Sequence, residues 1–291
     1  GWKDSCDSVF HADGTLAEAP VALCEVQGYV YGALLAAARL AAALGKRDVA
    51  RDCSARADAL RERFEAAFWC EDLDTYALAL DARKRACRVV TSNPGHCLFA
   101  GIADPERAAR VARTLCHGTS FSGWGVRTVA ATEARYNPMS YHNGSVWPHD
   151  NAIIAAGFAR YGFRDLALLI CTGMFEASSY LDLHRLPELF CGFQRRPHEG
   201  PILYPLACAP QAWAAAAAYS LLQSILGLEL DAVRGVVRLD RPTLPPWLET
   251  VRIEGLRLRD RRFDLALSRR GGRVEASISG SSDDLAFEFE P

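Results

Sequence analysis

At 291 residues, half of them apolar and 23% charged, the chain has the composition of one large globular domain or two ordinary ones. A net charge of −2 speaks against nucleic acid or an anionic membrane as partner, since both call for a basic patch. The alanine-rich stretches are broken by Arg, Gln or Gly, so no apolar run nears the roughly 20 residues that span a bilayer. Ten cysteines are scattered without a Cys-x-x-Cys pair, which predicts free structural thiols and a reducing, cytoplasmic setting.

In chain order, residues 20–44 read as a helix, with Pro20 in its first turn and Gly45 just past its end. A second helix follows over 47–68, where Val49, Ala57, Leu60, Phe64 and Phe68 recur at helical spacing. From Asp74 an alternating stretch predicts a short hairpin. Asp104 then caps a helix to about Cys116, with Pro105 at its first position. Residues 117–146 form a long Gly- and aromatic-rich connection, and connections of that length are usually functional. Helices are predicted at about 147–161, 164–182 and 210–226, with a second long connection over 184–209. From about 234 apolar and polar residues alternate around a Gly271-Gly272 turn, the pattern of antiparallel strands. The expected fold is mainly α: about seven helices, part of an (α/α)6 toroid, over residues 1–232. A small antiparallel β appendage then occupies 233–291.

Four loop stretches gather aromatic, carboxylate and imidazole groups: Gly1 to Ser5, Ser122 to Thr128, Tyr141 to Asp150, and Leu186 to Phe190. A pyranose offers an apolar face for a ring to stack on and a rim of hydroxyls for Asp, Asn, Arg and His. Cleaving its glycosidic bond takes two carboxyls, one protonated and one ionised. Taken singly, each residue has a bland alternative: a lone Trp is usually core, and a lone Asp at a loop entry is usually a cap. His142 and His149 lack a common zinc spacing and an obvious third ligand, so no metal is expected.

The stretches GWKDS, EVQGYVYGA, SNPGHCLFAGI, SGWGVRT, YNPMSYHNGSVWPHDNAIIA, LPELFCGF and PQAWAAAA together resemble the C-terminal half of bacterial amylo-α-1,6-glucosidases of the glycogen-debranching type. The resemblance is dense over residues 1–230 and implies a glucoamylase-like (α/α)6 toroid without cofactor, acting on an oligo- or polysaccharide. It implies Asp4 as general acid and Glu188 as general base of an inverting hydrolysis. Asp4 then needs a carboxyl that keeps its proton, which burial against Trp2 would favour, with Lys3 turned away. Trp2, Trp124 and Trp147 become stacking platforms. Arg127, Tyr141, His142, Asn143, His149 and Asp150 become hydroxyl partners, with Glu25, Gln27 and Tyr29 on a neighbouring helix. Members of that group carry a β-rich domain and further toroid helices before this point. The chain is therefore expected to need an N-terminal segment of its own to complete the ring, and to be inactive without it. Two alternatives stay open: hydrolysis of another small α-glycoside (glucosyl- or mannosyl-glycerate, or trehalose-like), and carbohydrate binding without turnover.

Overall fold

The structure, a computed structural model, describes residues 1–280 and 285–290. Among these, seven α-helices precede a β-rich end. They are α1 (Cys24–Ala43), α2 (Arg47–Phe68), α3 (Asn93–Ala100), α4 (Pro105–Cys116), α5 (Pro148–Arg160), α6 (Arg164–Ser178) and α7 (Ala212–Leu226).

Helix α1 starts four residues later than its sequence predicts. Ala22 and Leu23 (β1) are extended and pair with Ala79 and Leu80 (β4), and the Cys24 N–H bonds Leu78 O. Pro20 therefore lies outside the helix, while Gly45, at φ +73°, ends the turn that follows it. The stretch from Asp74 contains the expected short hairpin, Leu78 to Asp81 pairing antiparallel with Arg85 to Cys87 about the Leu80–Ala86 bridge. Thr75–Tyr76 (β3) pairs with Trp69–Cys70 (β2), and β4 pairs with β1. Helix α4 is capped as predicted, the Asp104 carboxylate accepting from the Glu106 and Arg107 N–H groups. Helix α3 has no amphipathic stripe because its residues Asn93 to Leu98 are all buried.

Helix packing forms two rows. Helices α1, α3, α5 and α7 follow one another in contact; α2 lies on α1, α4 on α3, and α6 on α5 and α7. The two end helices of the inner row carry exposed apolar side chains: Val30, Leu40 and nearby Leu44 at α1, and Trp213 and Tyr219 on α7.

In the β part, β5 (Leu228–Asp231) pairs antiparallel with β6 (Val236–Asp240), and β7 (Thr250–Leu258), β8 (Arg261–Arg270) and β9 (Arg273–Gly280) form a meander. The expected Gly271-Gly272 turn joins β8 to β9, both glycines at positive φ. One departure is β10 (Ala286–Glu290), which runs parallel to β6, so the appendage is mixed rather than antiparallel. Pairing of β5 with β6 also places strand structure ahead of residue 233. Leu226, Leu228, Val237, Leu239, Phe263 and Leu265 share one apolar core with the helices.

Helices α3 and α5 approach through glycine. A Cβ on Gly157 would lie 2.8 Å from Phe99 N and 2.9 Å from Gly95 O, both backbone atoms that cannot swing aside. On α1, a Cβ on Gly32 would meet nothing nearer than Ala100 O at 3.9 Å. Helix propensity alone favours Ala over Gly by about 1 kcal/mol, whereas overpacking costs about 1–3 kcal/mol. Urea denaturation should therefore find Gly32→Ala stabilised by up to about 1 kcal/mol and Gly157→Ala destabilised. Shifts of the same sign would contradict the close approach.

Candidate active site

The first residues of the chain are pinned in alternate directions. Lys3 is buried, its Nζ donating to Thr128 O at 2.7 Å, while its own carbonyl accepts from Ser8 Oγ. Burial pushes the Lys3 ammonium down to about 8, against the opposing pull of the Asp150 and Glu25 charges. Lys3 thus turns away from Asp4, but into the protein. Asp4 points outward with 87% of its side chain exposed, so the expected burial against Trp2 is absent. Lys3 rather than Asp4 takes the inward position, its Nζ 5.4 Å from the Trp2 ring centroid.

Trp2 sits in a cage of rings. It stacks parallel on His96 (centroids 6.0 Å apart) and meets His142, Trp147 and His149 edge-on at 5.6, 5.4 and 4.8 Å. Trp213 stacks on the other side of His149 at 3.8 Å, and Tyr141 packs on Trp147 at 4.9 Å and on Tyr204 at 5.6 Å. Behind the cage lies a buried polar chain. Tyr29 Oη bonds His96 Nδ1, and His96 Nε2 is 2.6 Å from Asp150 Oδ1. Burial alone would raise the Asp150 carboxyl; the His96 bond and the Lys3 charge hold it below the ordinary value. Burial drives the Tyr29 phenol upward, reinforced by Glu25 and Asp150. Several buried atoms here have no protein partner: Trp2 Nε1, Glu25 Oε1, Asp150 Oδ2 and both ring nitrogens of His149. Burial pushes His149 down to about 4, so its ring is neutral near pH 7.

Glu188 enters from the second long connection, which is laced to the first. Val146 and Phe190 exchange backbone hydrogen bonds of 2.9 and 3.0 Å. Two residues beyond Phe190, Gly192 passes so close that a Cβ there would overlap Gly144 O at 1.7 Å. Glu188 is buried, Oε1 accepting from Tyr141 Oη at 2.6 Å and Oε2 from the Cys208 N–H at 3.0 Å. Burial tends to raise its carboxyl, yet the bonds from Tyr141, Cys208 and Gln211 leave it below the usual carboxylate value. Tyr141 stays a protonated donor because burial, the Glu188 bond and the Glu188 and Asp4 charges push its phenol up. The next residue, His142, reaches the other carboxyl: its Nε2 is 3.9 Å from Asp4 Oδ1. One dipeptide thus bonds Glu188 through Tyr141 and stands 3.9 Å from Asp4 through His142.

Of the residues singled out in the sequence, the structure gathers Trp2, Asp4, Glu25, Tyr29, Tyr141, His142, Trp147, His149, Asp150 and Glu188 around this cage. It does not bring in four others. Trp124 is buried against Tyr180 and under the Arg195 guanidinium. Arg127 spends its donors on Gly192 O, Gly118 O, Thr119 O and Gln194 Oε1, bracing the loop. Asn143 ties down Asp7 through its Nδ2. Gln27 bonds its own helix at Leu23 O. Conversely, His96, Tyr204 and Trp213 join the cage without having been singled out. His96 and Trp213 lie within SNPGH and PQAW, polar or aromatic positions at helix starts, which is the available signal.

With this geometry in place, the family is decided by residues 4–190, which match the mannosylglycerate hydrolase MGH1-like glycoside hydrolase domain. The chain belongs to this glycoside hydrolase family. Mannosylglycerate hydrolase MGH1 of Selaginella moellendorffii is 34% identical over 70 residues, 24% of this chain and 14% of that protein. In fold the chain is similar to a sialidase (TM-score 0.70, 13% identity, 92% of this chain and 26% of that one). It is also similar to the GH78 rhamnosidase of Bacillus sp. GL1 (0.66, 20%, 92% and 26%). A third likeness is the GH63 mannosylglycerate hydrolase of Thermus thermophilus in complex with glucose (0.52, 21%, 69% and 47%). The chain thus spans less than half the length of each of these relatives. Glycosidase membership stands as the motifs implied; the family is the MGH1-like one rather than specifically the debranching one. Among the described residues no helix is long and apolar enough to cross a membrane.

The Tyr141 hydroxyl yields a direct prediction. A carboxyl with a lowered folded value contributes stability that is present above its unfolded value, near 4.5, and lost as pH falls through the folded one. Tyr141→Phe removes a donor to the ionised form, so Glu188 should titrate at higher pH in a carboxyl 13C NMR titration. The variant should also lose less stability on acidification than the parent. An unmoved titration would mean that Tyr141 does not set the charge state of Glu188.

Proposed function

We propose that the chain carries the two catalytic carboxyls of an inverting hydrolase of α-linked glycosides. Asp4 is the general acid that protonates the leaving oxygen, and Glu188 is the general base that activates water. The observation behind this reading is the Tyr141-His142 dipeptide, which hydrogen-bonds Glu188 and lies 3.9 Å from Asp4 beside a cage of rings. Glu188, held ionised by three donors, suits the base; Asp4, exposed beside the cage, suits an acid that a bound sugar would cover. The accessible rings of Tyr29 and Trp213 and the exposed Asp4 carboxylate supply the stacking face and the acceptor that a sugar needs. The two-row helix packing fits an arc of an (α/α)6 toroid. The exposed apolar faces of α1 and α7 are the flanks against which further helices of such a ring would close.

For the substrate, the family favours a small α-glycoside of the mannosyl- or glucosyl-glycerate or trehalose kind. The α-1,6 branch linkage of glycogen is the second reading, supported by the motif set GWKDS to PQAW. Fold alone does not choose between them.

Turnover of mannosylglycerate, glucosylglycerate, trehalose and isomaltose by the full-length protein, followed by proton NMR from the first seconds, tests the reading. An α-linked substrate should release the β-sugar before mutarotation, whereas an initial α-sugar would overturn the inverting assignment. Asp4→Asn and Glu188→Gln should each lower kcat by about 10²–10⁴-fold with sugar binding retained. Near-normal turnover in either would remove that residue from the mechanism.

A further inference from the structure

We propose that His142 is the positioning residue of the acid: a neutral imidazole whose Nε2–H is directed at the Asp4 carboxylate rather than at a sugar hydroxyl. The inference rests on the reading of Asp4 as general acid and goes beyond it to the group that aims it.

The tautomer follows from Ser5. Its backbone N–H, which can only donate, lies 3.4 Å from His142 Nδ1, and its Oγ lies 2.7 Å from the same atom. Nδ1 is therefore the acceptor, and the ring proton resides on Nε2. That proton faces Asp4 Oδ1, 3.9 Å from Nε2, a separation that a small turn of the exposed carboxylate converts into a hydrogen bond. Adjacent residues of the chain thus flank both nitrogens of one ring, Ser5 bonding Nδ1 and Asp4 facing Nε2.

The ring itself cannot wander. Trp147 stacks on it at 5.1 Å and 17°, Trp2 meets it edge-on at 5.6 Å, and Tyr141 packs on it at 4.6 Å. Only 2% of its side chain is exposed, which leaves little for a sugar to touch. Burial and the nearby Lys3 charge push the imidazole down to about 4, against the pull of Asp4, Asp7 and Asp150. It is neutral at the pH where a hydrolase works, so it neither takes the acid's proton nor competes as a cation.

In the reaction the Asp4 O–H bond breaks as its proton passes to the glycosidic oxygen. That oxygen keeps the electron pair of the broken C1–O bond, while water adds to C1 from the opposite face and yields its proton to Glu188. Asp4 is left as a carboxylate, and the Nε2–H of His142 is then its donor.

The test compares two leaving groups in the full-length protein: a methyl or glyceryl α-glycoside, which needs the acid, and the α-glycosyl fluoride of the same sugar, whose leaving group does not. His142→Ala should lower kcat/KM about 10- to 100-fold on the alkyl glycoside but only a few-fold on the fluoride. His142→Gln, whose amide presents an acceptor and a donor at similar spacing, should recover most of the loss. Ser5→Ala, which keeps the backbone N–H at Nδ1 but removes the shorter Oγ contact that steadies the ring, should show a smaller loss with the same leaving-group dependence. Asp4→Asn/His142→Ala should be no slower than Asp4→Asn alone. Equal loss on both substrates, or additivity with Asp4→Asn, overturns the proposal while leaving Asp4 as the acid. If Asp4→Asn itself shows no leaving-group dependence, the acid reading falls and takes this proposal with it.

Discussion

The geometry of the site hangs on one backbone contact, the reciprocal pair of hydrogen bonds between Val146 and Phe190. Each such bond is worth only about 1 kcal/mol net, but the pair fixes register between two connections that are otherwise free of named strands. Tyr141 and His142 stand upstream of one partner and Glu188 just upstream of the other. A one-residue slip would turn Glu188 away from the Tyr141 hydroxyl. The Gly144–Gly192 contact enforces the same register sterically, since any side chain at Gly192 would collide with the Gly144 carbonyl. Two long loops, normally the most mobile parts of a helical protein, are thereby made into a single wall.

Behind that wall the protein tolerates an electrostatic arrangement that folding alone would not select. Lys3, Glu25 and Asp150 are all buried, and His96 links Asp150 to Tyr29. Burying a charge is costly unless it is paired and hydrogen-bonded, and here Glu25 Oε1, Asp150 Oδ2 and both His149 nitrogens lack protein partners. These unmet polar atoms cluster beside Trp2, enclosed behind the ring cage. The Lys3 ammonium at the centre moderates the acidic surroundings and, through its bond to Thr128 O, holds Trp2 and Asp4 at fixed places along the chain.

Much of this was legible in the sequence where a local rule governs the outcome. Helix α2 runs over the residues its spacing predicts, Asp104 caps α4, and Gly271-Gly272 turns β8 into β9. Of the long polar-aromatic connections, Tyr141 to Asp150 and Leu186 to Phe190 supply residues of the cage and its rim, whereas Ser122 to Thr128 supplies none. What stayed hidden depends on distant partners. Helix α1 loses its first predicted turn to a strand pairing with β4, and α3 shows no stripe because it is enclosed on every side. Trp124 and Arg127 looked like sugar contacts by residue type, but Arg195 and four loop acceptors claim them. The outward turn of Asp4 follows from burial of Lys3, which sequence spacing does not encode.

If Glu188 activates the nucleophile from the face opposite Asp4, replacing its carboxylate by a small anion tests that role most directly. Glu188→Ala leaves a gap lined by Tyr141 and the Cys208 N–H, sized for azide. With an α-glycosyl fluoride as substrate, azide should restore turnover to this variant and yield the β-glycosyl azide, since the anion attacks from where water attacked. Asp4→Ala under the same conditions should give no such product. Absence of rescue in Glu188→Ala, or an α-glycosyl azide from it, would contradict the assignment of Glu188 as the base.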